Sequence, residues 1–485
     1  MSRFDVQYST MSPALPFDIL ALIIDIVGEN KDTDLLKELA LVSHSFLQIC
    51  SKHLFATVEL RNPIRPPSRR DFVSPKKRFL KLLKRRPDVV RNIRKLAYEV
   101  SRSAHIGARV FPSQDSDHLL SFVLLHLLPS FSRLNCLAIS ASGLDWNALD
   151  PSLTTAFLRL MHLPTINHID LSYIQNFPLI SLTLPVNLHR LDIFCLTLHR
   201  PLKMDFPEIV VEMMPKIREF HTSGSFQFTT KLLHAKRQDG HPAFNFMDLR
   251  RLSTTLNQFD SEFDSEFDDE RDIQYLLENS KFLESFHLYL GHGRSIARIL
   301  SPGARILKVL DLAISFFHMN SFDLGEFYEE LEALAGHNLL ETLFFKVVLF
   351  DLVTEDFVGS IFQEVEKVLV KPGWSMLRQV FFKVSIAPIV GSVKLCEVLR
   401  SLPDKYLSHL SKLESIAFDY SVYVDSIWLI FPLSHMFCNL PGWMLSNCQE
   451  YTYNALSLYL YVGFIQPGNN TWDSKHLCLC LYINL

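Results

Sequence analysis

Apolar residues near the start of the chain recur every three to four positions, the spacing of a helix with one apolar side. The sequence predicts three short helices: the first opened by Leu15-Pro16 and stopped at Gly28, the second capped by residues 32–34, the third capped by Ser43. Helices this short cannot bury all their apolar side chains among themselves. We therefore expect part of this surface to face a partner or the next domain. The apolar positions are Ile19, Leu20, Ile23, Ile24, Val27, Leu35, Leu36, Leu39, Phe46, Leu47, Ile49 and Cys50.

The order and spacing of these residues along the chain resemble those of an F-box. The departure from the family pattern is Ser45-Phe46, where a basic residue and a tryptophan are common. The resemblance covers about a tenth of the chain, and the alternative is a plain three-helix cap at the N-terminus. The matching text is Leu15-Pro16-x-x-Ile19-Leu20-x-x-Ile23-Ile24, Asp34-Leu35-Leu36, Leu39-x-x-Val42-Ser43-x-x-Phe46, and a trailing Leu54-Phe55-x-x-Val58-x-Leu60 that is similar to the strand after the F-box in many fungal members.

This resemblance implies a partner and a role. F-box proteins dock to the Skp adaptor and, through it, to a cullin–RING ubiquitin ligase, for which they recognise the substrate. Two alternatives stay open: a scaffold that binds the Skp adaptor without directing degradation, and a membrane-associated scaffold that uses the C-terminal tail. The residues expected at the adaptor contact, or supporting it, are Leu15, Pro16, Ile19, Leu20, Ile23, Ile24, Leu35, Leu36, Leu39, Val42, Ser43 and Phe46.

Beyond residue 91 a second pattern repeats at quasi-regular spacing: an apolar residue, two mostly polar ones, an apolar one, a variable one and a last apolar one. Helix-like stretches precede several copies, at 118–128, 327–335, 362–370 and 393–399. The copies are Ile93-Leu96-Tyr98, Leu134-Leu137-Ile139, Ile166-Ile169-Leu171, Leu188-Leu191-Ile193, the weaker Ile217-Phe220 and Leu249-Leu252, Leu283-Phe286-Leu288, Leu307-Leu310-Leu312, Leu340-Leu343-Phe345, Leu377-Val380-Phe382 and Leu413-Ile416-Phe418.

A short strand after each helix, repeated many times, is typical of a leucine-rich-repeat solenoid. The pattern resembles the irregular repeats that commonly follow an F-box. We therefore expect an α+β and α/β fold, in which a three-helix F-box is followed by an irregular horseshoe of short parallel strands and helices. The concave strand face is the expected surface for an unknown target protein. Because the repeat lengths are uneven, an ordinary α/β domain remains the alternative.

Changes in composition set the expected boundaries of the segments. Four of the eight cysteines lie in the last segment, which carries little charge. Its residues 426–445 are nearly long enough to span a bilayer, but they contain prolines and lack basic flanks, so we favour a cap or a misfit segment over a membrane span. The segments are a flexible N-terminus at 1–12, an F-box-like region at 13–60, a basic linker and helix at 61–90, repeats at 91–420 with an acidic insertion at 258–272, and an atypical apolar segment at 421–485.

Charge changes this picture only locally, because the net charge of the chain is −4. We interpret the basic stretch at 61–95 as a linker followed by a solvated helix face, with a nuclear import signal or a nucleic-acid patch as the alternative. The acidic insertion is interpreted as a solvated loop, with a contact for a basic substrate as the alternative. We expect neither nucleic acid nor membrane as a partner of the chain.

The sequence contains no recognisable catalytic motif. It lacks GxSxG, HExxH, a Walker loop and GxGxxG, and its cysteines form no CxxC pair. The polar N-terminus has no apolar signal core. We therefore expect a binding protein of the cytoplasm or nucleus, without enzymatic activity, cofactor, metal or small-molecule substrate.

Overall fold

The computed structural model describes residues 16–61, 74–100, 114–198, 208–209, 214–256, 269–290, 296–300, 303, 305–316, 324–336, 338–349, 355–386 and 392–424. The chain divides into two units. The first contains Met1–Leu144, Ala148–Asp170 and Leu184–Asn187, and the second contains Asp145–Asn147, Leu171–Thr183 and Leu188–Leu485. The N-terminal helices group in the first unit with the elements that follow them.

The first unit begins with the three helices that the sequence predicts. The side chain of Asp32 accepts the backbone N–H of Leu35 at 3.1 Å, and that of Ser43 accepts the backbone N–H of Phe46 at 3.3 Å. Both predicted helix caps are therefore confirmed. The elements of this unit are α1 (Phe17–Glu29), α2 (Thr33–Val42), α3 (His44–Leu54), β1 (Thr57–Leu60), α4 (Pro75–Arg85), β2 (Lys95–Glu99), α5 (Gln114–His126), β3 (Cys136–Asp145) and α6 (Pro151–Met161).

Strands β1, β2 and β3 form a parallel sheet. Val58 pairs with Leu96, and Leu96 pairs in turn with Leu137. The strand predicted after the three helices therefore exists, and it is the first strand of this sheet. Against the sheet, the Tyr98 ring packs edge-on to the Phe157 ring of α6, with centroids 5.1 Å apart.

The second unit is a large parallel sheet with helices. Strand β4 (His168–Gln175) crosses the division between the units, and two short strands, β6 (Glu208–Ile209) and β8 (Lys236–Arg237), pair with each other. The main strands pair in the order β5 (Arg190–Phe194), β7 (Glu219–Ser223), β9 (Arg251–Leu256), β10 (Ser285–Leu290), β11 (Val309–Phe316), β12 (Thr342–Leu349), β13 (Gln379–Ile386) and β14 (Ala417–Val424). The helices are α7 (Phe226–His234), α8 (Asp269–Asn279), α9 (Ile296–Leu300), α10 (Leu324–Ala333), α11 (Glu355–Leu369), α12 (Ser392–Leu399) and α13 (Leu402–Tyr406).

Apart from β6 and β8, the strands of this unit pair side by side in the order in which they follow along the chain. This is a solenoid-like α/β arrangement. In this unit the middle apolar residues of the predicted repeats, except the last, lie in one register row. This row runs Leu191, Phe220, Leu252, Phe286, Leu310, Leu343, Val380 and Phe418.

The last predicted repeat, Leu413-Ile416-Phe418, is wrong by two residues. Register places Phe418, rather than Ile416, opposite Val380. Leu413 and Ile416 lie before β14 in a turn, where the N–H of Ile416 donates to the carbonyl of Leu413 at 3.1 Å. The turn places two apolar residues three positions apart, which matches the first two positions of the repeat pattern.

The acidic insertion also differs from its prediction at its end. Residues 269–272 begin α8, so this part is not a loop. Asp272 is buried and accepts hydrogen bonds from the Thr230 hydroxyl at 2.5 Å and from the His234 ring at 3.3 Å. The remainder of the insertion lies outside the described residues, as do the predicted N-terminal segment 1–12, residues 62–73 of the basic linker and the tail from 425 onward. Within the described ranges, every helix is too short or too polar to cross a bilayer.

Candidate functional site

The three N-terminal helices have a small core of their own. Ile24 of α1 and Leu36 of α2 are each 1% exposed, and both pack with Cys50 of α3. Leu39 and Phe46 are partly buried against this cluster. Ile24 and Leu36 were predicted among the partner-contact residues, but at this burial they can only support such a contact from inside.

Helix α1 carries a second apolar side, which faces away from that core. Ile19, Leu22, Ile23 and Ile26 are all exposed. At 100° per residue they fall within an arc about 100° wide, opposite the buried Ile24. A surface helix normally presents polar residues on its outer face. This helix is apolar on both faces, which indicates that its outer face is covered in a complex.

Helix α2 adds three exposed apolar side chains. Leu35 and Val42 are seven positions apart and so lie on one side of the helix, and Leu41 is 88% exposed. We call the exposed apolar residues of the two helices the apolar docking surface. It consists of Ile19, Leu22, Ile23, Ile26, Leu35, Leu41 and Val42.

A polar cluster holds α1 against α3. The Asp25 carboxylate accepts hydrogen bonds from the His53 ring at 2.7 Å and from the Lys52 ammonium at 2.5 Å. The hydrogen bond from Lys52, followed by that from His53, holds the pKa of the Asp25 carboxyl below its usual range. This cluster fixes how α1 lies on α3 and therefore which face of α1 points outward.

Gly28 has a different role from the helix stop that the sequence predicts. Helix α1 continues through Gly28 to Glu29, and the chain turns away at Lys31, whose φ is 57°. A Cβ atom at position 28 would collide with the His53 ring. Glycine is needed here because the imidazole passes directly over the helix backbone.

The residues predicted at the contact divide by exposure. Pro16, Ile19, Ile23, Leu35, Val42 and Ser43 are exposed, Leu20, Leu39 and Phe46 are intermediate, Ile24 and Leu36 are buried, and Leu15 lies outside the described residues. The prediction omitted Leu22, Ile26 and Leu41. A signal for two of them was present, because Leu22 and Ile26 extend Ile19 and Ile23 into a second stripe at helical spacing.

A second candidate surface is the open face of the sheet in the second unit. One register row on this face is Asp192, His221, Ser253, His287, Asp311, Phe344, Phe381 and Asp419, all at least partly exposed.

The two ends of this row differ in chemistry. At the β5 end the row is polar, and the His287 ring lies 2.6 Å from the Asp311 carboxylate. Burial lowers the pKa of His221 in the same stretch. At the β14 end the rings of Phe344 and Phe381 stack with centroids 4.5 Å apart, and the Lys383 ammonium lies 5.6 Å from the Phe344 centroid. The row can therefore hydrogen-bond to one part of a partner chain and stack against another.

The described residues hold no group of three or more His, Cys, Asp or Glu side chains that could bind a metal ion. Cys50, Cys136, Cys195 and Cys396 are buried. Comparison with known protein families and with curated proteins finds no match to this chain. The functional argument therefore depends on the two surfaces.

Proposed function

We propose that this protein is the substrate-recognition subunit of a Skp–cullin–F-box ubiquitin ligase. In this proposal α1, α2 and α3 form an F-box, and the apolar docking surface binds the Skp adaptor. The second unit is an irregular leucine-rich-repeat array whose open sheet face binds the target protein. The observation that carries the proposal is the second apolar side of α1, together with the exposed apolar residues of α2.

The energetics favour a partner at this surface. Burying a large aliphatic side chain contributes about 1.5–3 kcal/mol when it is fully transferred from water. The side chains of this surface are already partly buried, to an extent that ranges from Leu35 at 39% exposed to Leu41 at 88% exposed, so each would contribute part of that amount. Several of them together form the kind of apolar centre that a protein interface buries. Four of the seven residues, Ile19, Ile23, Leu35 and Val42, also occupy the ordered positions in which the chain resembles an F-box.

The chain would act in this assembly by binding alone. Ubiquitin transfer would be carried out by the associated ligase and conjugating enzymes, and this protein would contribute proximity between them and the target. The half-exposed row from Asp192 to Asp419 offers both hydrogen-bonding and aromatic groups to a protein segment.

The test is a pull-down of purified Skp adaptor by the full chain, comparing the wild type with the double variant Ile23→Asp, Val42→Asp. Both positions are exposed, so the folded state should tolerate the change. Each aspartate would place a charge in an apolar interface, so we expect the affinity for the adaptor to fall at least about a hundredfold.

The matched control is the double variant Ile180→Asp, Val370→Asp, which introduces the same two charges at an exposed isoleucine and an exposed valine of the second unit. It should bind the adaptor as the wild type does. Undiminished adaptor binding by a folded Ile23→Asp, Val42→Asp variant would sink the F-box proposal. Recovery of the cullin with the wild type, together with a protein whose abundance rises when this chain is deleted, would separate ligase function from a non-degradative scaffold.

A further inference from the structure

Helix α4 (Pro75–Arg85) divides sharply into an apolar and a basic side. Phe79, Leu80 and Leu83 are buried in the first unit. The exposed residues form a set of five cations, which we call the basic stripe: Lys77, Arg78, Lys81, Lys84 and Arg85. At 100° and 1.5 Å per residue, the stripe occupies an arc of about 120° and a length of about 12 Å.

Among the residues that the structure describes, no carboxylate is paired with this stripe. Asp88 is the only acidic residue between positions 74 and 95, and it is paired with Arg86 at 2.7 Å. None of the five stripe cations forms an ion pair with a side chain in the part of the chain that the structure describes.

The stripe also works against the stability of its own helix. Lys81 has a cation four positions away on either side, at Lys77 and Arg85, and like charges at this spacing destabilise a helix. The first turn contains basic residues and no acidic one, which opposes the helix dipole. Lys84 and Arg85 lie in the last turn and suit the helix dipole, but the repulsion around Lys81 remains, and an external polyanion would relieve it.

We propose that the basic stripe of α4 binds the phosphate backbone of a nucleic-acid duplex, independently of sequence. Successive phosphates of one duplex strand are about 3.4 Å apart along the axis, so a stripe about 12 Å long faces roughly three of them. Affinity for such a backbone comes from cation–phosphate contacts and the release of counterions, and needs no apolar anchor. This interaction is separate from the proposed adaptor and target surfaces.

Other polyanions fit the stripe less well. A protein partner needs a buried apolar or aromatic anchor, since exposed ion pairs contribute little, and the apolar side of α4 is already buried. Single strands are held by stacking on aromatic rings, but the ring of Phe79 is only 5% exposed. A membrane-surface helix inserts its apolar side into the lipid, but the apolar side of α4 is already buried in the first unit.

The test uses the full chain and a fluorescently labelled random-sequence DNA duplex, with a double-stranded RNA in parallel, in anisotropy titrations at several salt concentrations. The variant is Lys81→Gln, Lys84→Gln, Arg85→Gln. Removing three phosphate contacts should lower the slope of log affinity against log salt by about 2.7, and the affinity at low salt by at least about tenfold.

The control variant removes three exposed cations from the second unit: Lys281→Gln, Arg378→Gln, Lys412→Gln. Its net charge equals that of the stripe variant, and its affinity should stay within about twofold of the wild type. The stripe variant should melt close to the temperature of the wild type, because it loses like-charge repulsion around Lys81 and also the favourable last-turn charges of Lys84 and Arg85.

Three results would overturn the proposal. The first is no binding of the wild type to either duplex at low salt. The second is equal weakening by both triple variants, which would show an effect of whole-protein charge. The third is binding to phosphatidylserine-containing vesicles through the same three residues without duplex binding. Loss of adaptor binding by Ile23→Asp, Val42→Asp is an independent result, so the two proposals can fail separately.

Discussion

Gly28 and His53 form the tightest single contact in the N-terminal helices. Alanine normally stabilises a helix relative to glycine by about 0.5–1 kcal/mol. At position 28 its Cβ would collide with the His53 ring, which Asp25 holds at 2.7 Å. The ring can move only by giving up that hydrogen bond. We expect Gly28→Ala to destabilise the protein by about 1–3 kcal/mol, measured by denaturant unfolding.

The companion variant His53→Ala makes this prediction specific. With the ring removed, Gly28→Ala should become neutral or stabilising by up to about 1 kcal/mol, so the two changes should be strongly non-additive. Equal destabilisation by Gly28→Ala in both backgrounds would show that the helix backbone, and not the imidazole, requires glycine.

At the scale of elements, a buried carboxylate on α11 fixes the segment that leads to β14. Glu366 accepts the backbone N–H groups of His409 and Leu410 at 2.8 and 2.9 Å, and it lies 3.1 Å from the His409 ring. Replacing it with alanine leaves backbone donors without their acceptor, one of them buried at Leu410. We expect Glu366→Ala to cost about 2–3 kcal/mol and to speed amide hydrogen exchange at both positions.

The chain offers a matched control two residues away. Glu364 also lies on α11, but its ion pair with Lys367 is exposed to solvent. Glu364→Ala should therefore change the free energy of unfolding by less than about 1 kcal/mol. Similar losses in the two variants would mean that the effect comes from α11 itself and not from the capped turn.

The helices and strands were predicted well where the spacing of apolar residues follows from which side of the element is buried. The three helices, their two caps and the strands of the repeats follow from apolar residues at helical or alternating positions. The prediction fails where two apolar residues of a turn match the repeat pattern, as Leu413 and Ile416 do. The pattern also cannot predict the contact between Glu366 and His409, because a local sequence pattern does not connect positions so far apart in the chain.

The candidate site was predicted less completely than the fold. Sequence spacing identified the apolar residues of α1 and α2, but it could not divide them between core and surface, because α1 is apolar on both sides. Ile24 and Leu36 were therefore grouped with exposed neighbours such as Ile23. The basic side of α4 was predicted, whereas its lack of ion pairs with the described carboxylates required the three-dimensional arrangement.

At the scale of the whole second unit, the sheet is a linear array in which each strand pairs only with its neighbours. Burial follows the same rule. The Phe382 ring is fully buried, and its centroid lies 5.4 Å from that of Phe345 on β12 and 5.8 Å from that of Phe418 on β14. In such arrays stability is approximately a sum of repeat and nearest-neighbour contributions. A local defect should therefore have a local effect.

We expect Phe382→Ala to remove about 3–5 kcal/mol from the region around β13. Since about 1.4 kcal/mol corresponds to a factor of ten, amide hydrogen exchange in β12, β13 and β14 should accelerate at least about a hundredfold, with much smaller changes in β5 and β7. Phe220→Ala, at an equally buried position on β7, should accelerate exchange in β5 and β7, with much smaller changes in β12, β13 and β14. Uniform acceleration across all these strands in both variants would show that the unit unfolds as one cooperative body, and the description as an array of nearest neighbours would then be wrong.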